Sequence, residues 1–225
     1  RPDIAFPPRW TALLERMRAV NPNIILLLIA SYPYAFPHEA EFVRAALYTA
    51  HDEQFVGLAA ADALFGRANP AGRLSMTWYL SQDDLPGIND YDIINSPRTY
   101  MYFDRPVQFP FGYGLSYTAF AYAALSVERD GDGFRVSCAV RNSGTRAGDE
   151  VVQLYVTLHG LPEKSPLRRL CGFERVPLAP GEVKTVSFAV PPGELTVYGA
   201  GRPESVTFAV GGSSADITLS EVVSR

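Results

Sequence analysis

The chain has 225 residues, 47% hydrophobic and 20% charged, with a formal net charge of −4 and 18 each of Gly and Pro. That length suits one large domain or two small ones, and the apolar content excludes a disordered chain. The mild acidity argues against a nucleic-acid surface, with Lys164, Arg168 and Arg169 forming only a small cluster that reads as a solvated face, and the longest apolar run, residues 24–30, is far short of the roughly 20 residues of a membrane-spanning helix.

The first residue is Arg1, and no basic stretch with an apolar leader core follows it. This reads as a chain cut from something longer, so no compartment follows from it. Trp10, Leu13, Leu14, Met17 and Val20 recur at helical spacing behind Pro7-Pro8, which suit a helix start. Asn21-Pro22-Asn23 stops that helix. Residues 24–29, all Ile or Leu, read as a strand buried on both faces, as in parallel sheets. A helical turn over 39–43 and a second strand over 45–49 follow. Residues 59–65, closed by Gly66, form a helix with a face of small side chains.

Residues from about 67 to 118 are turn-rich and aromatic, too apolar for a flexible linker. After Phe120 the pattern is all-β. Alternating runs over 122–128, 133–141, 150–158, 170–176, 183–190, 206–210 and 217–220 predict a sandwich. Asp130-Gly131-Asp132-Gly133 and Asn142-Ser143-Gly144 read as hairpin turns. The fold class expected is thus α/β, a partial open parallel-sheet α/β sandwich, followed by an all-β immunoglobulin/fibronectin type III-like sandwich. The domains expected are 1–80, an aromatic and Pro/Gly-rich connector over 81–118, and 119–225. Two strands of parallel sheet cannot bury themselves, so the α/β half should expose apolar surface.

The densest group of chemically capable side chains is His51-Asp52-Glu53-Gln54. It follows a parallel strand and precedes a helix, which puts it at a carboxyl strand edge, where open α/β sheets hold ligands. The competing reading is that Asp52 and Glu53 cap the helix N-terminus. Other signals are weaker. Residues 112–117 are not a GxGxxG loop, no GxSxG elbow occurs, and His38, His51 and His159 lack metal-ligand spacing. Residues 76–79 and 100–103 read as core, and Asp83-Asp84 and Asp90-Tyr91-Asp92 as turn residues. Cys138 and Cys171 cannot make a disulfide framework. Cys138 reads as a buried thiol, with a single bridge to Cys171 left open.

In order along the chain, Asn21-Pro22-Asn23, Ala61-Asp62-Ala63-Leu64-Phe65-Gly66, Asn69-Pro70-Ala71-Gly72-Arg73-Leu74, Asp83-Asp84-Leu85-Pro86, Arg98-Thr99-Tyr100-Met101-Tyr102-Phe103 and Phe109-Pro110-Phe111-Gly112-Tyr113-Gly114-Leu115-Ser116-Tyr117 resemble the C-terminal portion of glycoside hydrolase family 3. Residues 147–156 and 172–176 resemble that family's fibronectin type III-like module. The resemblance implies a retaining, exo-acting β-glycosidase of β-glucosidase or β-xylosidase type. Its nucleophilic aspartate would lie on an N-terminal TIM-like barrel that these residues do not contain. A glutamate of the α/β domain would be the acid/base, with two carboxyl groups about 5–5.5 Å apart.

In many members that glutamate lies in a Gln-Glu-x-Gly-like string, and an ungapped match places Gln54 on the Gln and Phe55 on the Glu. Glu53 lies two residues earlier. Either a rearranged loop makes Glu53 the acid/base, with His51 and Asp52 as substrate contacts or as groups that tune Glu53, or the acid lies elsewhere, or the mechanism differs. The partners implied are a β-linked oligosaccharide or glycoside and the barrel, on the same or a separate polypeptide, with no cofactor, metal, nucleic acid or membrane. The family default is secretion or periplasmic export. The alternative is a non-catalytic scaffold or carbohydrate-binding piece that pairs with a separate barrel chain.

Overall fold

The computed structural model describes residues 3–51, 53–161, 164–196 and 201–224, with the Glu53 side chain left out. These fall into two compact units, each assembled from separate stretches of chain. The first comprises Arg1–Ala68, Met76–Tyr91 and Arg105–Phe109; the second Asn69–Ser75, Asp92–Asp104 and Pro110–Arg225. The stretch 81–118 is therefore divided between the units, and residues 69–75 belong to the second.

In the first unit, helix α1 spans Pro8–Val20, with Pro7 at its cap position. Its fixed φ suits the first turn, where the missing N–H costs nothing. Strand β1 (Ile25–Ile29) and strand β2 (Ala45–Thr49) pair in parallel, Ile25 opposite Ala45 and Ile29 opposite Thr49. Between them lies a single helical turn, α2 (Pro37–Ala40). Helix α3 (Val56–Leu64) follows β2 and ends at Gly66, whose φ of 70° is the left-handed conformation that closes a helix.

One expectation for this unit is corrected. Strand β1 is not buried on both faces: Leu26 and Leu28 are buried, whereas Ile25, Leu27 and Ile29 are 54%, 39% and 44% exposed. Likewise only Leu14 of the apolar stripe on α1 is buried, and Trp10, Leu13, Met17 and Val20 are exposed. Local periodicity selects strand or helix, but burial needs a second layer, and within this unit only one face of the pair is covered. The buried face meets an aromatic core. Trp78 packs edge-on against Phe36, Tyr48 and Phe109. Backbone hydrogen bonds join Trp78 to Phe109 and Gln108, and Thr77, Trp78 and Tyr79 are buried in this unit.

The second unit is the predicted sandwich. Its strands are β3 (Phe120–Asp130), β4 (Gly133–Asn142), β5 (Gly148–His159), β6 (Arg169–Leu178), β7 (Val183–Val190), β8 (Ser205–Gly211) and β9 (Ile217–Ser224). One sheet has the order β3-β4-β7 and the other β6-β5-β8-β9. Alternate residues face inward, so Val136, Cys138, Val140, Val186 and Phe188 meet Val152, Leu154, Val156, Phe208 and Val210 between the sheets. The Asp130–Gly133 turn is a hairpin, with Gly131 at φ 60°.

The Asn142-Ser143-Gly144 turn is not a hairpin: it carries the chain from β4 in one sheet to β5 in the other. The buried Asn142 amide holds that corner, donating to the carbonyls of Arg146 and Leu178 and accepting from Thr118 Oγ1 and Gly144 N. Among the described residues no helix is long and apolar enough to cross a membrane.

Candidate functional site

In the first unit, β1 and β2 end side by side, Ala30 N donating to Thr49 O at 3.1 Å. Two loops leave this carboxyl edge. The one after β2 carries His51, which is exposed, and Asp52, which lies outside the described residues. Glu53 opens a three-residue 3₁₀ turn, Glu53–Phe55, that runs into α3; its side chain also lies outside the described residues. The helix-cap reading rests on the Asp52 and Glu53 side chains, so it falls outside the described residues. Helix α3 starts at Val56, its cap position is Phe55 and its first turn holds no acid. Phe55, the residue matched to the family glutamate, is 64% exposed.

The loop after β1 carries a feature that motif reading missed. Tyr32 and Tyr34 flank Pro33, with ring centroids 5.2 Å apart, planes tilted by 33° and hydroxyls 3.4 Å apart. Tyr34 rests edge-on against Phe6, whose backbone N donates to Ala35 O. The legible signal was Tyr-Pro-Tyr two residues past an apolar strand: proline restricts both its own backbone and its predecessor's.

The second unit holds a buried electrostatic cluster. Glu150, 3% exposed at the start of β5, accepts from Arg73 Nη2 at 2.8 Å and from the Tyr122 hydroxyl at 2.6 Å. Burial pushes the Glu150 carboxyl above its ordinary pKa, and the contacts with Tyr122 and Arg73 oppose that shift. Burial and the Glu150 charge also push the Tyr122 phenol up. The Glu150 carboxylate is occupied on both oxygens, so this group braces residues 69–75 on the sandwich.

Next to it, Gln153 donates to Gly112 O and Gly212 O and accepts from the Tyr155 hydroxyl. Gly112 has φ 81°, and a side chain there would overlap the Gln153 amide. Tyr100 stacks on Phe111 and meets Tyr155 edge-on. These contacts cover the outer face of β5, which explains why that strand is buried nearly throughout. Both cysteines are free thiols, Cys138 pushed up to about 11 and Cys171 to about 12 by burial. Neither is a nucleophile near neutral pH. No three His, Cys, Asp or Glu side chains among the described residues converge as a metal site.

Comparison with known proteins gives these features a family. Residues 1–117 match the glycosyl hydrolase family 3 C-terminal domain and residues 150–214 a fibronectin type III-like domain. The chain is 36% identical over 202 residues to a xylan 1,4-β-xylosidase of Xylanibacter ruminicola, covering 89% of this chain and 23% of that protein. It is 35% identical over 245 residues to the thermostable β-glucosidase B of Acetivibrio thermocellus, covering 99% and 32%. The crystal structure of a family 3 β-glucosidase from Bifidobacterium adolescentis superposes with a TM-score of 0.92 at 27% identity, covering 100% of this chain and 36% of that one. The chain thus spans between 23% and 36% of the length of these relatives. With the α/β half and the β-sandwich each matched in order, the chain belongs to glycoside hydrolase family 3 and carries that family's C-terminal domain and fibronectin type III-like module.

Proposed function

We propose that this chain is the C-terminal part of a retaining, exo-acting β-glycosidase that releases terminal β-linked sugars, with the specificity of a β-glucosidase or β-xylosidase. The observation that carries the reading is the family match over residues 1–117, supported by relatives named as enzymes of both kinds. The nucleophilic aspartate belongs to an N-terminal barrel outside these residues, so the chain alone is inactive and the barrel is its necessary partner. The exposed apolar residues of β1 and α1 support such a partner, because a monomer seldom leaves so much aliphatic surface in water.

Within this enzyme the loop after β2 borders the substrate, with Glu53 as acid/base and His51 and Asp52 as substrate contacts. What supports the assignment is the loop's departure from the carboxyl edge of the parallel pair, where open α/β sheets bind ligands. An acid/base must protonate the leaving oxygen and then deprotonate water, so its removal costs about 10²–10⁴ in rate. The test is the barrel-containing protein assayed on aryl β-glucosides and β-xylosides. Glu53→Gln should lower kcat by that factor and remove the acid-catalyst limb of the pH profile, whereas His51→Ala and Asp52→Ala should chiefly raise KM. Unchanged kcat in Glu53→Gln assigns the acid/base to another residue. Loss of hydrolysis in no variant and absence of it in the parent would instead favour the scaffold reading, to which the uncharged Phe55 at the family glutamate position already lends weight.

A further inference from the structure

We propose that Tyr32 and Tyr34 form a stacking platform for a sugar ring at the carboxyl edge of the parallel pair. The inference rests on the β-glycosidase reading and adds to it a subsite on the loop after β1. Three observations carry it. First, the pair leaves the same sheet edge as the 51–55 loop, since β1 and β2 end in register at Ile29 and Thr49. Second, Tyr32 is 41% exposed, and its ring packs against that of Tyr34 at 5.2 Å with a 33° tilt, so that Tyr34 backs one of its faces.

Third, the surface is held from behind. Tyr34 meets Phe6 edge-on, Phe6 packs on the buried Phe36, and Ala5 pairs with Ala35 across a parallel bridge. Pro33 reduces the backbone freedom of the segment between the rings. Little side-chain entropy remains to be lost when a ligand lands on it.

The chemistry selects a carbohydrate. An aromatic face carries negative potential and attracts the slightly positive C–H hydrogens on one face of a pyranose. A β-linked pyranose with equatorial hydroxyls turns axial C–H groups to such a face, so the ring face is met by one ligand.

The test uses the barrel-containing protein and a thio-linked β-disaccharide, which binds without being cleaved, titrated by calorimetry. Tyr32→Ala should weaken binding by about tenfold, the scale of one aromatic contact. Tyr32→Phe should stay within about twofold, because it keeps the ring face. Tyr32→Leu, which keeps apolar bulk without a π face, should lose as much as Tyr32→Ala. On the cleavable disaccharide Tyr32→Ala and Tyr32→Leu should raise KM and leave kcat unchanged. Equal affinity of Tyr32→Ala and the parent overturns the platform, as does equal loss in Tyr32→Ala and Tyr32→Phe, and so does a parent that binds no disaccharide. A parent that binds the disaccharide through Tyr32 but cleaves no aryl β-glycoside sinks the hydrolase reading alone and leaves the platform standing.

Discussion

Arg73 and Glu150 stand 77 positions apart in sequence and meet at 2.8 Å inside the second unit, with 9% and 4% of their side chains exposed. A buried ion pair gains little over a well-packed apolar pair, yet breaking it by removing one partner is costly. Glu150→Ala should therefore destabilise the fold by about 3–5 kcal/mol, because it strands a buried guanidinium. Tyr122→Phe, which removes only one hydrogen bond, should cost about 1–3 kcal/mol. Urea denaturation followed by tryptophan and tyrosine fluorescence measures both. A Glu150→Ala loss no larger than that of Tyr122→Phe would show that Arg73 finds another counter-charge.

The same group gives the stability a defined pH dependence. Burial raises the Glu150 carboxyl above its unfolded value, so the folded state binds that proton more tightly. Its favourable contribution is complete below the unfolded carboxylate pKa and is lost as pH rises through the raised folded value. The stability of the parent relative to Glu150→Gln should consequently fall as pH rises through that window. Melting curves of both proteins across the acid range decide it, and a difference that grows with pH contradicts the burial cost.

Free thiols with raised pKa values are slow to react. With Cys138 at about 11, roughly a thousandth of it is thiolate at pH 8, against about a quarter for an unperturbed thiol. Cys171, pushed to about 12, should be slower still on charge grounds, though it is less buried. Both should react with a disulfide reagent at least about a hundredfold faster in denaturant than in the native state. Rapid native labelling of either would refute the inferred environment.

The exposed face of β1 predicts how the 225-residue chain behaves without a barrel. Ile25, Leu27 and Ile29 all project from one side of the strand. Sedimentation velocity should show self-association that weakens when Leu27 and Ile29 are replaced by Ser. A monomer at tens of micromolar concentration would mean that this face is covered in some other way.

Much of the architecture was legible because its determinants are local. The strands of the sandwich announce themselves by a two-residue period between turn residues, and the structure places β4, β5, β7 and β8 within two residues of the expected runs. The pattern misleads at β1, where an unbroken aliphatic run implies burial on both faces and one face is exposed, and at Asn142-Ser143-Gly144, where a hairpin signature joins strands of different sheets. In each case the residues report a conformation, whereas the error concerned which other segment lies alongside. The candidate site divides likewise. His51 and Glu53 were named from motif and position, while Tyr32 and Tyr34 went unnoticed because no spacing rule marks a ring pair across a proline.

By itself the order of residues determined the element sequence, the change from α/β to all-β near residue 119, and the family strings from Asn21 to Val176. These depend on hydrogen-bonding period, turn chemistry and local identity. The tertiary structure alone decided that Arg73, Tyr122 and Glu150 share one buried cluster, and that Gln153 and Tyr155 are covered from outside by residues 100 and 111–112. The reason is physical: the cost of burying a polar group is set by every segment that excludes water from it, and those segments lie tens of residues away.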